Sequence, residues 1–395
     1  MWAQGKEKIK SVEMTEGTMK PGWRKVKFGD VVRLSKARSQ DPLADGIERY
    51  VGLEHLEPGD LRIRSWGNVA DGVTFTSVFQ PGQVLFGKRR AYQRKVAVAD
   101  FSGVCSGDIY VMETKDAQVL LPELLPFICQ SDAFFDHAVG SSAGSLSPRT
   151  NWTSLASYEF LLPSLEDQEK LIKSLGAVEI GLSALFDSRI AAENLFRAMH
   201  ADLFSKVLTS TASVPLAEVF DHVSQKGFTD LPILSVTIDG KIVRRDSLER
   251  HVSDETGDEK YIRVLKNDLV YNTMRLWQGA IGIVGEEGLV SPAYTVIRLK
   301  DKADSSEYWW HLFRSPSIIN EYRRFVKGVA KDRWRIYFSD LGKLCLALPK
   351  VDDRAYIAEQ LNAIRSVKSE ISVRIKCLLK MRGLMVEAIN RGRYV

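Results

Sequence analysis

Two textures alternate along the 395 residues of this chain. Up to Pro163 the apolar residues come in short runs punctuated by turn formers, as where Val73, Phe75 and Val78 precede Pro81-Gly82, and the pattern predicts strands joined by turns. After Pro163 the period changes. Leu171, Leu175, Val178, Leu182, Leu185, Ala192, Phe196, Met199 and Leu203 keep a 4-3 spacing that only Arg189 interrupts, which is the seam of a coiled-coil helix. Strand texture then returns, with Tyr261, Arg263, Val264 and Leu265 before Asn267-Asp268. A second seam follows Pro349: Ile357, Leu361, Ile364, Ile371, Ile375, Leu378, Met385 and Ile389, with Lys368 and Arg382 at two polar places.

These periods predict helices over 165–208 and 352–390, the first roughly 65 Å long at 1.5 Å per residue. So narrow an apolar stripe suits a partner helix better than a globular face. The expected fold is α+β, with a tail (1–20), strand-rich domains at 21–163 and 212–349, and helical segments at 164–211 and 350–395. Helix one leads from the first domain to the second and helix two leads back. Their pairing must therefore be antiparallel, with a domain at each end and an approximate twofold axis, a symmetry that the backbone of duplex DNA shares.

The strand-rich segments repeat one another at an offset close to 186 residues. Val84-Leu85-Phe86-Gly87-Lys88-Arg89 falls on Val270-Tyr271-Asn272-Thr273-Met274-Arg275, so that Arg89 matches Arg275, and Leu162-Pro163 falls on Leu348-Pro349. Between them Lys95-Val96-Ala97-Val98 overlies Ile281-Gly282-Ile283-Val284, and Ser106 to Tyr110 overlies Pro292 to Val296. At the openings, Val26 to Val31 matches Val214 to Val219 with a drift to 188, which surface loops absorb.

Composition narrows the function by exclusion. Fifty-five Lys and Arg against 50 Asp and Glu give a formal charge of +5, which permits a nucleic-acid partner without identifying one. Cys105, Cys129, Cys345 and Cys377 lie in apolar surroundings with no metal-ligand spacing and are expected to be buried free thiols in a reducing, cytoplasmic setting. The first twenty residues lack the apolar run of a secretory signal, and no window is long and apolar enough to predict a membrane span. Neither a dinucleotide nor an ATP-binding glycine loop occurs, and the six histidines are scattered singly. The expectation is a chain with no catalytic centre, no metal and no cofactor of its own.

What remains is basic and aromatic. Lys88-Arg89-Arg90-Ala91-Tyr92-Gln93-Arg94-Lys95 sets five cations and a Tyr in eight residues between two strands. Arg can hold two acceptors of guanine, Gln can pair with adenine and Lys neutralises phosphate, so such a turn suits DNA as well as it suits bare solvent. Its counterpart, Asn272 to Gly279, carries Arg275, Trp277 and Gln278, with the indole expected to be exposed. A second basic cluster, Arg323 to Arg335, contributes Lys327, Lys331, Arg333 and Arg335. Its counterpart from Gly140 to Arg149 is mostly Ser and Gly, and Arg149 is its one cation. The candidate DNA contacts are thus Lys88, Arg89, Arg90, Tyr92, Arg94, Lys95, Arg149, Arg275, Trp277, Gln278, Lys327, Lys331, Arg333 and Arg335.

The duplicated unit, the loop Gly140-Ser141-Ser142-Ala143-Gly144-Ser145 and the closing run Leu161-Leu162-Pro163-Ser164-Leu165-Glu166-Asp167-Gln168-Glu169 before a heptad helix resemble the specificity subunits of type I restriction-modification enzymes. The resemblance spans roughly Pro21 to Asn390. The second unit departs from it, with Arg354 where Gln168 stands and Lys327-Gly328-Val329-Ala330-Lys331 in the loop. The resemblance implies a subunit that reads a bipartite sequence in double-stranded DNA, one half-site per domain. It also implies two modification subunits that hold S-adenosylmethionine and methylate adenine, together with restriction subunits that cleave. The methyltransferase motif Asn/Asp-Pro-Pro-Tyr/Phe is absent here. Two other classes of function stay open at this stage. A coiled-coil scaffold with two protein-binding heads would show no salt-dependent DNA affinity, and a nuclease would need clustered carboxylates or histidines around a metal.

Overall fold

The computed structural model describes residues 20–144, 147–205, 207–208, 213–247, 260–327 and 334–390. These form two compact units, unit 1 up to Arg189 and again from Ile371, unit 2 from Ile190 to Glu370.

In chain order, the first strand-rich region holds β1 (Arg24–Lys27), α1 (Phe28–Val31), β2 (Val32–Leu34), β3 (Arg49–Val51), β4 (Gly67–Asn68), β5 (Ser77–Phe79), β6 (Val84–Gly87), β7 (Val96–Val98), β8 (Gly103–Cys105) and β9 (Ile109–Thr114). Helices α2 (Leu125–Cys129), α3 (Asp132–Gly140) and α4 (Trp152–Ala156) and strand β10 (Glu159–Leu162) precede the long α5 (Leu165–Ser205). The second region repeats the order with β11 (Val214–Pro215), α6 (Leu216–Val219), β12 (Phe220–Val223), β13 (Ile233–Val236), β14 (Ile242–Arg244), β15 (Ile262–Val264), β16 (Leu269–Asn272), β17 (Ile281–Ile283), β18 (Gly288–Val290) and β19 (Tyr294–Leu299). It closes with α7 (Ser306–Phe313), α8 (Pro316–Glu321), α9 (Phe338–Leu341), β20 (Cys345–Leu346) and the long α10 (Val351–Asn390).

The two regions share one topology. Unit 1 has four-stranded sheets in the orders β2-β9-β6-β7 and β4-β3-β8-β5, and unit 2 has β12-β19-β16-β17 and β14-β13-β18-β15. The second sheet of each unit contains one parallel pair, β3 with β8 and β13 with β18, and each unit ties its ends together with a short antiparallel pair, β1 with β10 and β11 with β20.

Alternation along the central strand explains the layering, since successive side chains point to opposite faces. Val84 and Phe86 pack with Val96, Met112 and Phe134 toward the helices, while Leu85 turns to Val51, Phe79 and Val111 of the other layer. In unit 2, Leu269 and Tyr271 face the helical side with Trp309 and Phe313, and Val270 faces Leu234, Val264 and Val290. Val84 therefore corresponds to Leu269, not to Val270, and the expected offset of 186 is corrected to 185 throughout β5–β9 and β15–β19. A one-residue slip exchanges the two faces of a strand, so burial decides the register. The openings α1 and α6 stay 188 apart, and the closing residues Glu159 and Cys345, which pair with the residues just before those helices, stay 186 apart.

Both long helices form where the heptads predict them. At the head of α5 the buried Gln168 gives its side-chain N–H to the carbonyls of Val119 (2.9 Å) and Pro163 (3.0 Å), and its oxygen accepts the Leu121 N–H at 2.9 Å. Arg354 takes the same place on α10. Its Nε reaches the Pro349 carbonyl at 3.0 Å and its Nη1 pairs with buried Asp304, so the departure in sequence keeps the bond to the proline carbonyl.

Within unit 1 the helices run antiparallel, with Glu179 opposite Arg382 and Gly181 against Leu378. In unit 2 Glu193 pairs with Lys368. Phe186, His200 and Phe204 are buried although they stand outside the predicted seam: Phe186 joins Leu182, Ile371 and Ile375 between the helices, while His200 and Phe204 meet His311 and Tyr308, because a helix that also packs on a head needs a wider face than a/d alone. Cys105 and Cys129 are buried as expected. Cys345 and Cys377 are exposed, which corrects that expectation: Cys345 lies on the outer side of a two-residue strand and Cys377 on the solvent face of α10.

Candidate nucleic-acid interface

In unit 1 three turns meet at the end of β6. The Lys88 N–H donates to the Asp108 carbonyl at 2.9 Å, the Thr150 N–H to the Lys88 carbonyl at 3.0 Å and the Arg90 N–H to the Pro148 carbonyl at 2.7 Å. Segments far apart in sequence thereby come to one place: 88–90, 106–108 and 147–150.

Four of the expected contacts converge there. Arg89 donates from Nε to Ser147 Oγ at 3.1 Å and from Nη1 to Asp108 Oδ2 at 3.1 Å. Arg90 donates to the same Ser147 Oγ at 3.1 Å, and Arg149 donates from Nε to Asp108 Oδ1 at 2.9 Å. Lys88 sets its ammonium 4.6 Å from the Tyr110 ring. Burial holds that amine below its ordinary value, against the smaller upward pull of Asp108. Lys88, Ser106, Gly107, Asp108 and Arg149 line an open cleft of about 390 Å³.

The rest of the octapeptide turns elsewhere. Tyr92 stands at the tip of the turn, 55% exposed. Arg94 bonds the Gln130 carbonyl (3.2 Å) and Asp132 Oδ1 (2.5 Å) over the Phe135 ring, and Lys95 donates to the Leu53 carbonyl at 2.6 Å. Arg90 and Arg94 both adopt left-handed backbone, φ 54° and 56°. That conformation is uncommon for residues other than Gly and costs on the order of 1 kcal/mol or more.

The equivalent turn in unit 2 aligns Arg275 with Arg90, Trp277 with Tyr92, Gln278 with Gln93 and Gly279 with Arg94, so the expected match of Arg89 to Arg275 is corrected with the register. Gly279 takes the left-handed position (φ 85°) without the steric cost that Arg94 meets. Arg275 and Gln278 are exposed. Trp277 is half-buried, which corrects the expected exposed indole: its Nε1 donates to the Met274 carbonyl at 2.9 Å and its ring meets Trp334 edge-on at 5.5 Å.

Lys327 and Arg335 form a two-way backbone bridge (3.0 Å each), the counterpart of the bridge between Ala143 and Arg149. Both side chains lie toward solvent, with Lys327 Nζ 2.6 Å from Asp340. Lys331 and Arg333 lie outside the described residues.

Sequence reasoning missed Asp108, Ser147 and the exposed Arg38, whose charge reaches Lys88. Only the turn-forming Ser106-Gly107-Asp108 offered a signal, and nothing local tied it to Arg149. Among the described residues no group of three or more His, Cys, Asp or Glu is placed to hold a metal ion, and no helix is long and apolar enough to cross a membrane.

No family profile matches the chain. Over 161 residues it is 28% identical to the type I restriction enzyme EcoDI specificity subunit of Escherichia coli, a match covering 38% of this chain and about a third (33%) of that protein's length. Two solved structures share its fold over 95% of its length. One is the S subunit of a type I restriction-modification system from M. genitalium (TM-score 0.56, 10% identity, 98% of that chain covered). The other is a chain from a type I system solved for its complex assembly and conformational transition (TM-score 0.54, 17% identity, 99% covered). In sequence over part of its length and in fold over nearly all of it, the chain is similar to type I specificity subunits.

Proposed function

We propose that this chain is the DNA-specificity subunit of a type I restriction-modification system, non-catalytic in itself, each strand-rich unit reading one half of a bipartite target in duplex DNA. The observation that carries the reading is the duplicated turn. The same hairpin, leaving the same central strand, presents Arg90, Tyr92 and Gln93 in unit 1 and Arg275, Trp277 and Gln278 in unit 2. Related frames with different side chains are what reading two different half-sites requires.

The partners follow from the same reading: two modification subunits that hold S-adenosylmethionine and methylate adenine, and restriction subunits that cleave. Apolar side chains left in solvent on the long helices support docking in both units, with Ile180, Val373 and Leu384 in unit 1 and Leu195, Tyr356 and Val367 in unit 2.

Titrating labelled duplex DNA with the chain assembled on its modification subunits tests the proposal. Affinity should fall steeply with salt, because phosphate contacts release counterions, and one sequence should compete far better than random duplex. The mass of that assembly should correspond to two modification subunits per chain. Salt-independent or absent DNA binding would return the protein to the scaffold reading.

A further inference from the structure

The Asp108 carboxylate sits 18% exposed beneath two guanidiniums and divides its oxygens between them, Oδ1 to Arg149 Nε (2.9 Å) and Oδ2 to Arg89 Nη1 (3.1 Å). The two arginines differ in what this leaves free. Arg89 is held at two nitrogens, since its Nε also donates to Ser147. Arg149 is held at Nε alone among the described residues, while its backbone is fixed by reciprocal bonds with Ala143 (3.0 and 2.9 Å) and its side chain is 57% exposed at the rim of the cleft. Among the described residues its terminal Nη1 and Nη2 therefore form an unoccupied, planar, two-donor edge on a guanidinium whose orientation is already set.

We propose that Arg149 reads a guanine in the half-site of unit 1 and that Asp108 is its positioning residue. This rests on the reading of the chain as a specificity subunit and names the base that one of its sites takes. An edge of two parallel donors matches the O6 and N7 acceptors of guanine in the major groove. A carboxylate directly behind the arginine weakens its attraction for a phosphate anion but leaves the geometric match to a neutral base edge intact, so the pair trades affinity for discrimination. Anchoring Nε also removes rotamer freedom before DNA arrives. Unit 2 supplies the contrast. Ala293 stands where Asp108 does, so Arg335, which corresponds to Arg149, has no carboxylate at that position behind it.

The test is selection of bound duplexes from a randomised DNA pool by the chain assembled with its modification subunits, comparing wild type with Asp108→Asn, Asp108→Ala, Arg149→Lys and Arg335→Lys. Circular dichroism melting checks that each variant is folded. In the Asp108 and Arg149 variants one guanine position of one half-site should relax by roughly tenfold to a hundredfold, the discrimination a two-bond arginine–guanine contact supplies. Random-duplex binding by Asp108→Ala should hold or rise, with a steeper salt dependence from the freed cations. Arg335→Lys, in the other unit, should leave that guanine position as it is. A sharp wild-type target that Arg149→Lys leaves unchanged overturns the reading of guanine by Arg149. One that only the Asp108 variants leave unchanged overturns the role of Asp108 alone, as does a folded Asp108→Asn protein that weakens on all sequences equally. A wild-type assembly that selects no sequence overturns the specificity-subunit reading together with it.

Discussion

The two units repeat one another strand for strand, yet they fill corresponding places on their long helices with opposite chemistry. With the Leu-Pro pairs at 162–163 and 348–349 as common origin, Glu179 and Arg382 of unit 1 correspond to Arg365 and Phe196 of unit 2. Unit 1 buries an ion pair there: Arg382, 5% exposed, donates to Glu179 at 2.7 Å and to the Gly59 carbonyl at 3.0 Å. Burial raises the Glu179 carboxyl and lowers the Arg382 guanidinium, in each case against the pull of the partner, so desolvation opposes the pair from both sides. At that place unit 2 instead gathers Phe196, His200 and His311, with ring centres 5.2 to 6.0 Å apart, and its Arg365 is exposed. One place on a duplicated backbone can thus be closed by charge in one copy and by aromatic packing in the other. The sheets set the framework and the helix contacts are free to diverge.

The strongest way to break this contrast is to remove one partner of each ion pair. Glu179→Ala leaves a buried arginine without its carboxylate and should cost about 3–5 kcal/mol. Glu193→Ala, whose partner Lys368 is part-exposed, should cost no more than about 1 kcal/mol. Urea denaturation of the two variants checks the difference, and equal losses would mean that burial does not separate the pairs.

Acid should act on unit 2 through its histidines. Burial holds His311 down to about 4 and lowers His200 as well, so both are neutral in the folded protein at pH 7. As pH falls below 6.5 the unfolded chain takes up a proton that the folded one refuses until about pH 4, and stability is lost across that window. The loss due to His311 is on the order of 3 kcal/mol, and His311→Phe should flatten the profile. Melting temperatures from pH 7 to pH 4 measure it, and a profile unchanged by the substitution would remove His311 from the account.

A smaller effect separates the two helix starts. Gln168→Ala strands the Leu121 N–H and two carbonyls, and about 1–3 kcal/mol of stability should go with them. Gln168→Arg, which copies the residue that unit 2 uses, should recover little of it. The partners that Gln168 meets are all backbone groups, whereas Arg354 relies on the carboxylate of Asp304. Thermal melting of the two variants checks this, and a Gln168→Arg protein as stable as wild type would show that the two starts are interchangeable.

Much of this architecture was legible in the sequence, because periodicity is a local property. The 4-3 spacing placed both long helices, and the matched Leu-Pro pairs revealed the duplication. The register within it was not legible: an offset of 185 or 186 aligns similar apolar residues equally well, and only the face that Val84 and Leu269 share decides. The basic turn was legible by composition. That Arg94 and Lys95 leave it for Asp132 and Leu53 was not, nor was the convergence of Asp108 and Ser147 on Arg89, because those contacts join residues 19 to 58 positions apart.

The central claim, that each unit reads its own half of the target, is tested most directly by exchanging one head. Residues 21–163 would be replaced by the corresponding segment of another type I specificity subunit, and adenine methylation would be mapped by single-molecule sequencing in cells that also express the modification partner. The account predicts that one half of the methylated sequence changes while the other half and its adenine stay as they were. Loss of specificity spread over both halves, in a chimera shown to be folded and assembled, would contradict it.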